Sequence, residues 1–215
     1  MKVNKRFYVI LKVLMSFFVV SCVRPENDKV MVKFLWGKSY VLRYIPNSTD
    51  TCAYVHYEFS YDGNLLSYSP SIDCRKNGLR ITYHEKTGGL KGIASKLGLS
   101  NYGSSITFRE NGFANTYRYY FYREEFYFLK YDSIGNITKQ VGNLKVDGDI
   151  FFIKKDDVEY KWDIEENRFF APVKKVDDLK IDGVEINNKD IKLPKIIKEK
   201  VNQMKNEYQK DDTIP

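Results

Sequence analysis

Histidine and cysteine are scarce in this chain, and a long hydrophobic run is missing. The two histidines are His56 and His84. His84-Glu85 begins like a zinc-protease helix, but the fifth position of that pattern is Gly88 and not a second histidine. Glu58 lies two residues from His56, on the same side of an extended strand, and two such ligands fall short of a zinc set. No serine stands in Gly-x-Ser-x-Gly. Thr87-Gly88-Gly89-Leu90-Lys91-Gly92 fits neither a P-loop nor a dinucleotide fingerprint, and reads as a flexible loop. The carboxylate pairs Glu124-Glu125 and Asp156-Asp157 stand where the chain should turn, whereas glycosidase chemistry needs two carboxylates across one cleft. No catalytic residue, metal-ligand set or cofactor motif is therefore assigned. Apolar content of 43% and aromatic content of 15% exclude disorder over most of the length.

The most apolar stretch, residues 7–23, is interrupted by Lys12 and is shorter than the roughly 20 residues a spanning helix needs. It follows a basic start (Lys2, Lys5, Arg6), continues through Val13 to Val20, and ends in Val19-Val20-Ser21-Cys22. This resembles the type II signal peptide of bacterial lipoproteins, whose lipobox places an aliphatic and two small or aliphatic residues before the lipidated cysteine. The other readings are an ordinary secretory peptide cut near Ser21 and a membrane anchor. The resemblance implies that residues 1–21 are removed, that Cys22 is acylated and held in a lipid bilayer, and that residues 22–28 form a tether. Six residues, Val23 to Asp28, reach at most ~20 Å, so the domain sits close to the membrane. In two-membrane bacteria Val23, where aspartate would signal inner-membrane retention, implies the outer membrane, facing the periplasm.

Four of the 35 basic residues precede Cys22 and no acid does, which leaves 31 basic against 28 acidic residues, a formal +3. The high isoelectric point is thus mostly a targeting signature and no sign of nucleic acid. With Cys22 lipidated, Cys52 and Cys74 are an even pair in an oxidising compartment and read as a disulfide. A three-residue hairpin loop at Asp62 to Asn64 would set Tyr61 opposite Leu65 and Cys52 opposite Cys74, within bridging distance. Pro70 and the serines at 67, 69 and 71 argue for an irregular return segment.

Residues 29–210 read as one β-rich domain: an antiparallel sandwich or partly open barrel of meander hairpins, closed by an amphipathic C-terminal helix. Lys29 to Trp36 and Tyr40 to Ile45 form strands turned at Gly37-Lys38; Cys52 to Ser60 alternates, with Ala53, Val55, Tyr57 and Phe59 on one face. A two-residue Asn111-Gly112 turn pairs Phe108 with Asn115 and Ile106 with Tyr117, and puts Ile106, Phe108, Phe113, Tyr117 and Tyr119 together. Arg123 to Glu125 turns the chain so that Tyr127, Leu129 and Tyr131 continue the face of Tyr117, Tyr119 and Phe121. Asp132 to Asn136, Asp147-Gly148, Lys155 to Asp157 and Asp182-Gly183 are further turns. Leu90, Ile93 and Leu97 predict a short helix. Pro194 opens the last helix, over 195–209, with Ile197, Val201, Met204 and Tyr208 as its apolar stripe. Its Lys195, Lys198, Lys200 and Lys205 suit a solvated face or an anionic membrane. Residues 211–215 fray.

The functional candidate is aromatic. Opposite the core face, the pattern collects Tyr120, Tyr122, Phe126 and Phe128 beside Arg118, Arg123 and Lys130. Amphipathic aromatics with arginine suit stacking on sugar rings or gripping a protein; the ordinary alternative is a sheet buried on both faces. The reading is a lipid-anchored envelope protein with a non-catalytic binding role toward an envelope protein or glycan, and no nucleic acid. The alternatives are an immunity or inhibitor lipoprotein against an envelope-acting toxin or lytic enzyme, and an envelope glycan or peptide hydrolase.

Overall fold

The structure, a computed structural model, describes residues 28–34, 39–46, 54–71, 78–97, 100–166, 168–181 and 191–211. Cys22, Cys52, Cys74, the Gly37-Lys38 turn and the Asp182-Gly183 hairpin lie outside the described residues. Ten strands form one antiparallel sheet in chain order: β1 Lys29–Phe34, β2 Ser39–Ile45, β3 Tyr54–Ser60, β4 Leu65–Ser71, β5 Gly78–Tyr83, β6 Leu90–Leu97, β7 Ser100–Phe108, β8 Ala114–Phe121, β9 Glu124–Tyr131 and β10 Ile137–Val141. A second antiparallel sheet holds β11 Asn143–Asp147, β12 Ile150–Lys155 and β13 Val158–Asp163. The helix α1 spans Lys195–Asp211. The fold is a β-sandwich of unequal layers, and the described strands form no closed barrel. No helix among the described residues is long and apolar enough to cross a membrane.

One register row crosses the whole large sheet: Val32, Leu42, Tyr57, Tyr68, Ile81, Ile93, Ile106, Tyr117, Leu129 and Gln140 are each paired with the next. Seven of these ten, from Leu42 to Leu129 without Tyr68, are buried, because this face is covered by two different elements. The helix stripe of Ile197, Val201 and Met204 is buried, and Tyr208 reaches the rings of Tyr40 and Tyr61 at 6.2 and 3.9 Å. Farther along, the small sheet lays Phe151 and Trp162 on Tyr119, with ring centroids at 4.9 and 5.4 Å. The chain passes between the two sheets at Gly142, where φ is +77° and a Cβ would lie 2.9 Å from the Phe126 carbonyl.

Bulges account for most departures from the expected pattern. The segment expected as a short helix is strand β6. Between Thr82–Gly92 and Tyr83–Leu90 the register shifts by one residue, so Leu90 and Ile93, three apart, both turn inward and imitate a helical spacing. The Asn111 turn is a three-residue loop: Gly112 N–H donates to the Arg109 carbonyl and Arg109 N–H to that of Phe113. Ile106 still faces Tyr117, but Phe108 pairs with Ala114 and not Asn115. Ala114 is therefore the buried residue, and Phe113 lies half-buried under the Lys175 ammonium, 4.7 Å from its ring. In the β3–β4 hairpin Ser60 N–H donates to the Asn64 carbonyl, and Phe59 pairs with Leu65. The loop is Tyr61 to Gly63, one residue earlier than expected, and the register drawn for Cys52 opposite Cys74 does not carry over from these strands. The return segment is a strand through Ser71, bulged at Leu66 between the Phe59–Leu65 and Glu58–Ser67 pairs. Pro70 sits beyond the β4–β5 ladder, which pairs only Ser67–Thr82 and Tyr68–Ile81.

Candidate functional site

The β8–β9 connection is the most strained place near the aromatic candidates. Phe121 pairs with Glu124, so the loop is Tyr122-Arg123, with φ of +46° and +76°. A two-residue hairpin wants positive φ at both central positions, and Asn-Gly supplies it with least strain. Here neither residue is glycine or asparagine. The turn lies a residue earlier than the expected Arg123 to Glu125, so both glutamates belong to the strand. Lys155 Nζ holds Glu124 at 2.7 Å, and Arg118 reaches Glu125 at 3.5 Å. Tyr122 is 72% exposed. Its ring meets Phe121 at 4.7 Å and Tyr102 at 5.8 Å, edge to face, and Arg123 Nε donates to Ser100 Oγ at 2.7 Å.

A bulge next to this turn splits the seven residues expected on one face. Tyr119 pairs with Tyr127, but Tyr120 pairs with Glu125, which leaves Phe126 as the extra residue. Phe126 turns inward: it is 6% exposed and packs on Tyr160 and Trp162 at 4.9 and 5.3 Å. It is core, not binding surface. Tyr117, Tyr119, Tyr127 and Leu129 are buried as expected, and Phe121 is half-buried at the rim. Arg118, Tyr120 and Phe128 remain together on the outer face. The Arg118 guanidinium lies 5.1 Å from the Phe128 ring centre and donates to the Tyr120 hydroxyl at 3.1 Å. Lys130 stands beside them, exposed. Tyr122 and Arg123 occupy the adjoining tip.

Sequence reasoning missed Tyr102, Trp162 and Arg168, which complete the aromatic end. Trp162 lies 5.5 Å from Phe121. Arg168, with φ of +51°, donates to the Lys96 carbonyl at 2.7 Å, and burial pushes its pKa down. No local signal marks these residues, because Tyr102 lies far along the chain from Trp162 and Arg168.

His56 and Glu58 share the outer face, but each is engaged by arginine. Arg43 Nε donates to His56 Nε2 at 3.0 Å, and Arg80 pairs with Glu58 at 3.3 Å. His84 Nε2 lies 3.2 Å from the Phe108 carbonyl. Among the described residues no three His, Cys, Asp or Glu side chains could hold a metal ion. The glycine-rich segment is a defined turn, with His84 N–H on the Gly89 carbonyl at 2.8 Å. A polar cleft of about 610 Å³, lined by Gln140, Asn143 and Lys154 to Asp157, has its lysines committed to Asp157 and Glu124. An apolar hollow of about 280 Å³ lies against Leu79, Phe169, Phe170 and Ile181.

The outer face itself is set by two register rows flanking the buried one. The first runs Met31, Arg43, His56, Ser69, then Arg80, Ala94, Ser105, Arg118, Phe128 and Val141. The second runs Lys33, Val41, Glu58, Ser67, Thr82, Gly92, Thr107, Thr116, Lys130 and Lys139. Their middle is small and hydroxylated; Thr107 and Thr116 share a hydrogen bond of 2.7 Å. At Gly92 a Cβ would fall 2.9 Å from the Ile106 carbonyl, so the residue that keeps this floor low is also required by backbone packing. Compared with known families, curated proteins and solved structures, the chain matches none of them.

Proposed function

We propose that this is a non-catalytic binding protein of the bacterial cell envelope, anchored in the bilayer through lipid on Cys22. It engages an envelope glycan or protein through Arg118, Tyr120 and Phe128 and the adjoining Tyr122-Arg123 tip. The observation that supports this most is the display of Tyr122. An aromatic ring left 72% exposed contributes little burial, and it stands on a turn whose positive φ neither glycine, asparagine nor aspartate relaxes, the kind of strained position that clusters at functional sites. The anchor rests on the lipobox resemblance, and Val23 favours the outer membrane facing the periplasm. The same compartment favours a Cys52–Cys74 disulfide, which alkylation of the exported, denatured, unreduced protein tests: two reactive thiols per mature chain would refute it.

The binding role is tested by placing a photocrosslinking residue at position 122 in living cells. Crosslinks to an envelope component are expected there. They should be absent when the same residue replaces Lys198, exposed on α1. Equal yields from both positions would remove the case for the tip.

A further inference from the structure

The two outer rows carry six cations, Lys33, Arg43, Arg80, Arg118, Lys130 and Lys139, against one carboxylate, Glu58. They net +5, whereas the whole chain after residue 21 nets +3. Positive charge is therefore concentrated on one face, and the rest of the molecule is slightly acidic. Arg80 is paired with Glu58 at 3.3 Å and Arg118 with Glu125 at 3.5 Å, so an incoming acid would share or displace these two carboxylates, which together offset only part of the charge.

The cations do not form a plane. Arg80 on β5 and Arg118 on β8 stand in one row with only Ala94 and Ser105 between them. Three strand spacings put the two backbones about 14 Å apart. Gly92, Thr107 and Thr116 fill the neighbouring row. Two long cationic side chains thus wall a trough with a short, hydroxylated floor. The Thr107–Thr116 pair uses one hydroxyl proton in its own bond and leaves the other to donate. Lys130 also lies directly opposite Lys139. Like charges in a cross-strand pair are destabilising; Lys139 turns its ammonium to the Phe128 ring at 5.8 Å, which leaves Lys130 to face solvent.

From this we infer that the outer face binds an extended anionic glycan, a chain of sugars bearing carboxylates. The chain lies on the hydroxyl floor, with its acids held by Arg80, Arg118 and Lys130. A flat lipid surface would meet the rims and leave the floor unused, which is why a chain fits better. The inference deepens the binding role proposed above and names its ligand class; it does not depend on the anchor.

The test uses full-length protein in neutral detergent, with galacturonate oligomers as probe and dextran of equal length as control. Galacturonate should bind in a salt-sensitive way and dextran should not. Arg80→Gln with Arg118→Gln should weaken binding at least about tenfold. Lys195→Gln with Lys198→Gln, which removes the same charge from the helix, should leave it unchanged. Lys130→Gln guards against misfolding: its denaturation midpoint should hold or rise while binding falls. Equal losses from the helix pair, or Lys130→Gln binding like wild type, would overturn the inference. So would displacement of galacturonate by phosphatidylglycerol micelles at equal charge, which assigns the face to lipid. Tight dextran binding insensitive to the arginines would also overturn the charge assignment, while leaving a binding role in place.

Discussion

The Tyr117 hydroxyl donates to the Phe170 carbonyl at 2.8 Å, and so ties the eighth strand to a segment 53 residues later. Ser104 Oγ, 2.8 Å from that hydroxyl, accepts the Phe170 N–H at 3.0 Å. Two residues along the same strand and on the same face, Tyr119 has a buried hydroxyl with no hydrogen-bond partner among the described residues. The pair predicts opposite outcomes for one chemical change. Tyr117→Phe should cost about 1 kcal/mol, the net worth of an ordinary hydrogen bond, whereas Tyr119→Phe should be neutral or stabilising. Urea midpoints of the two variants decide it; equal losses would show that Tyr119 does have a partner in solution.

Buried tyrosines also set the response to alkali. Burial, with Tyr208 nearby, pushes the Tyr40 pKa up to about 12, and burial with Tyr127 nearby does the same for Tyr131. Tyr57, Tyr117 and Tyr119 are raised as well, burial again being the main cause. An unfolded tyrosine ionises near about 10. Each raised group therefore favours the folded state fully below pH ~10, and that contribution is lost as pH rises toward ~12. Loss of near-ultraviolet dichroism and the rise of the buried tyrosinate absorbance should coincide in that window. Ionisation of these residues near pH ~10 in an intact fold would show that they are not buried.

At the strained turn, Tyr122→Asn with Arg123→Gly should raise stability by about 1–2 kcal/mol, because positive φ then suits both positions. The same change removes the exposed ring and should weaken partner capture. A thermal scan and the position-122 crosslink yield measure the two effects; a drop in stability would show that Arg123 with Ser100 matters more than the backbone.

Phe126→Ala should cost about 3–5 kcal/mol as a buried large-to-small change, and Tyr120→Ser much less, since Tyr120 is half exposed. Chemical denaturation of both checks the assignment. Similar small losses would return Phe126 to the surface.

Cys22→Ala should abolish fatty-acid labelling in cells and leave the protein unprocessed or released. Undiminished incorporation of labelled palmitate by that variant would end the lipoprotein reading.

Local periodicity carried much of the fold. Tyr117, Tyr119, Tyr127 and Leu129 could be assigned to the core because alternation in a strand depends only on neighbours. The stripe of Ile197, Val201, Met204 and Tyr208 could be assigned because helical spacing is equally local. Asp156-Asp157 turns where expected, both residues having positive φ. The sequence by itself therefore determined the class of fold, the meander and the last helix. Tertiary structure decided where alternation breaks. One extra residue at Phe126 and another between Leu90 and Gly92 reverse the faces of the strand residues beyond them, and a bulge is a mismatch between two strands that neither strand shows alone. It also decided which side of the large sheet α1 and the small sheet cover. The concentration of charge was hidden for the same reason: Arg43, Arg80, Arg118 and Lys130 lie on four different strands, far apart along the chain, and only the order and register of the large sheet bring them to one face.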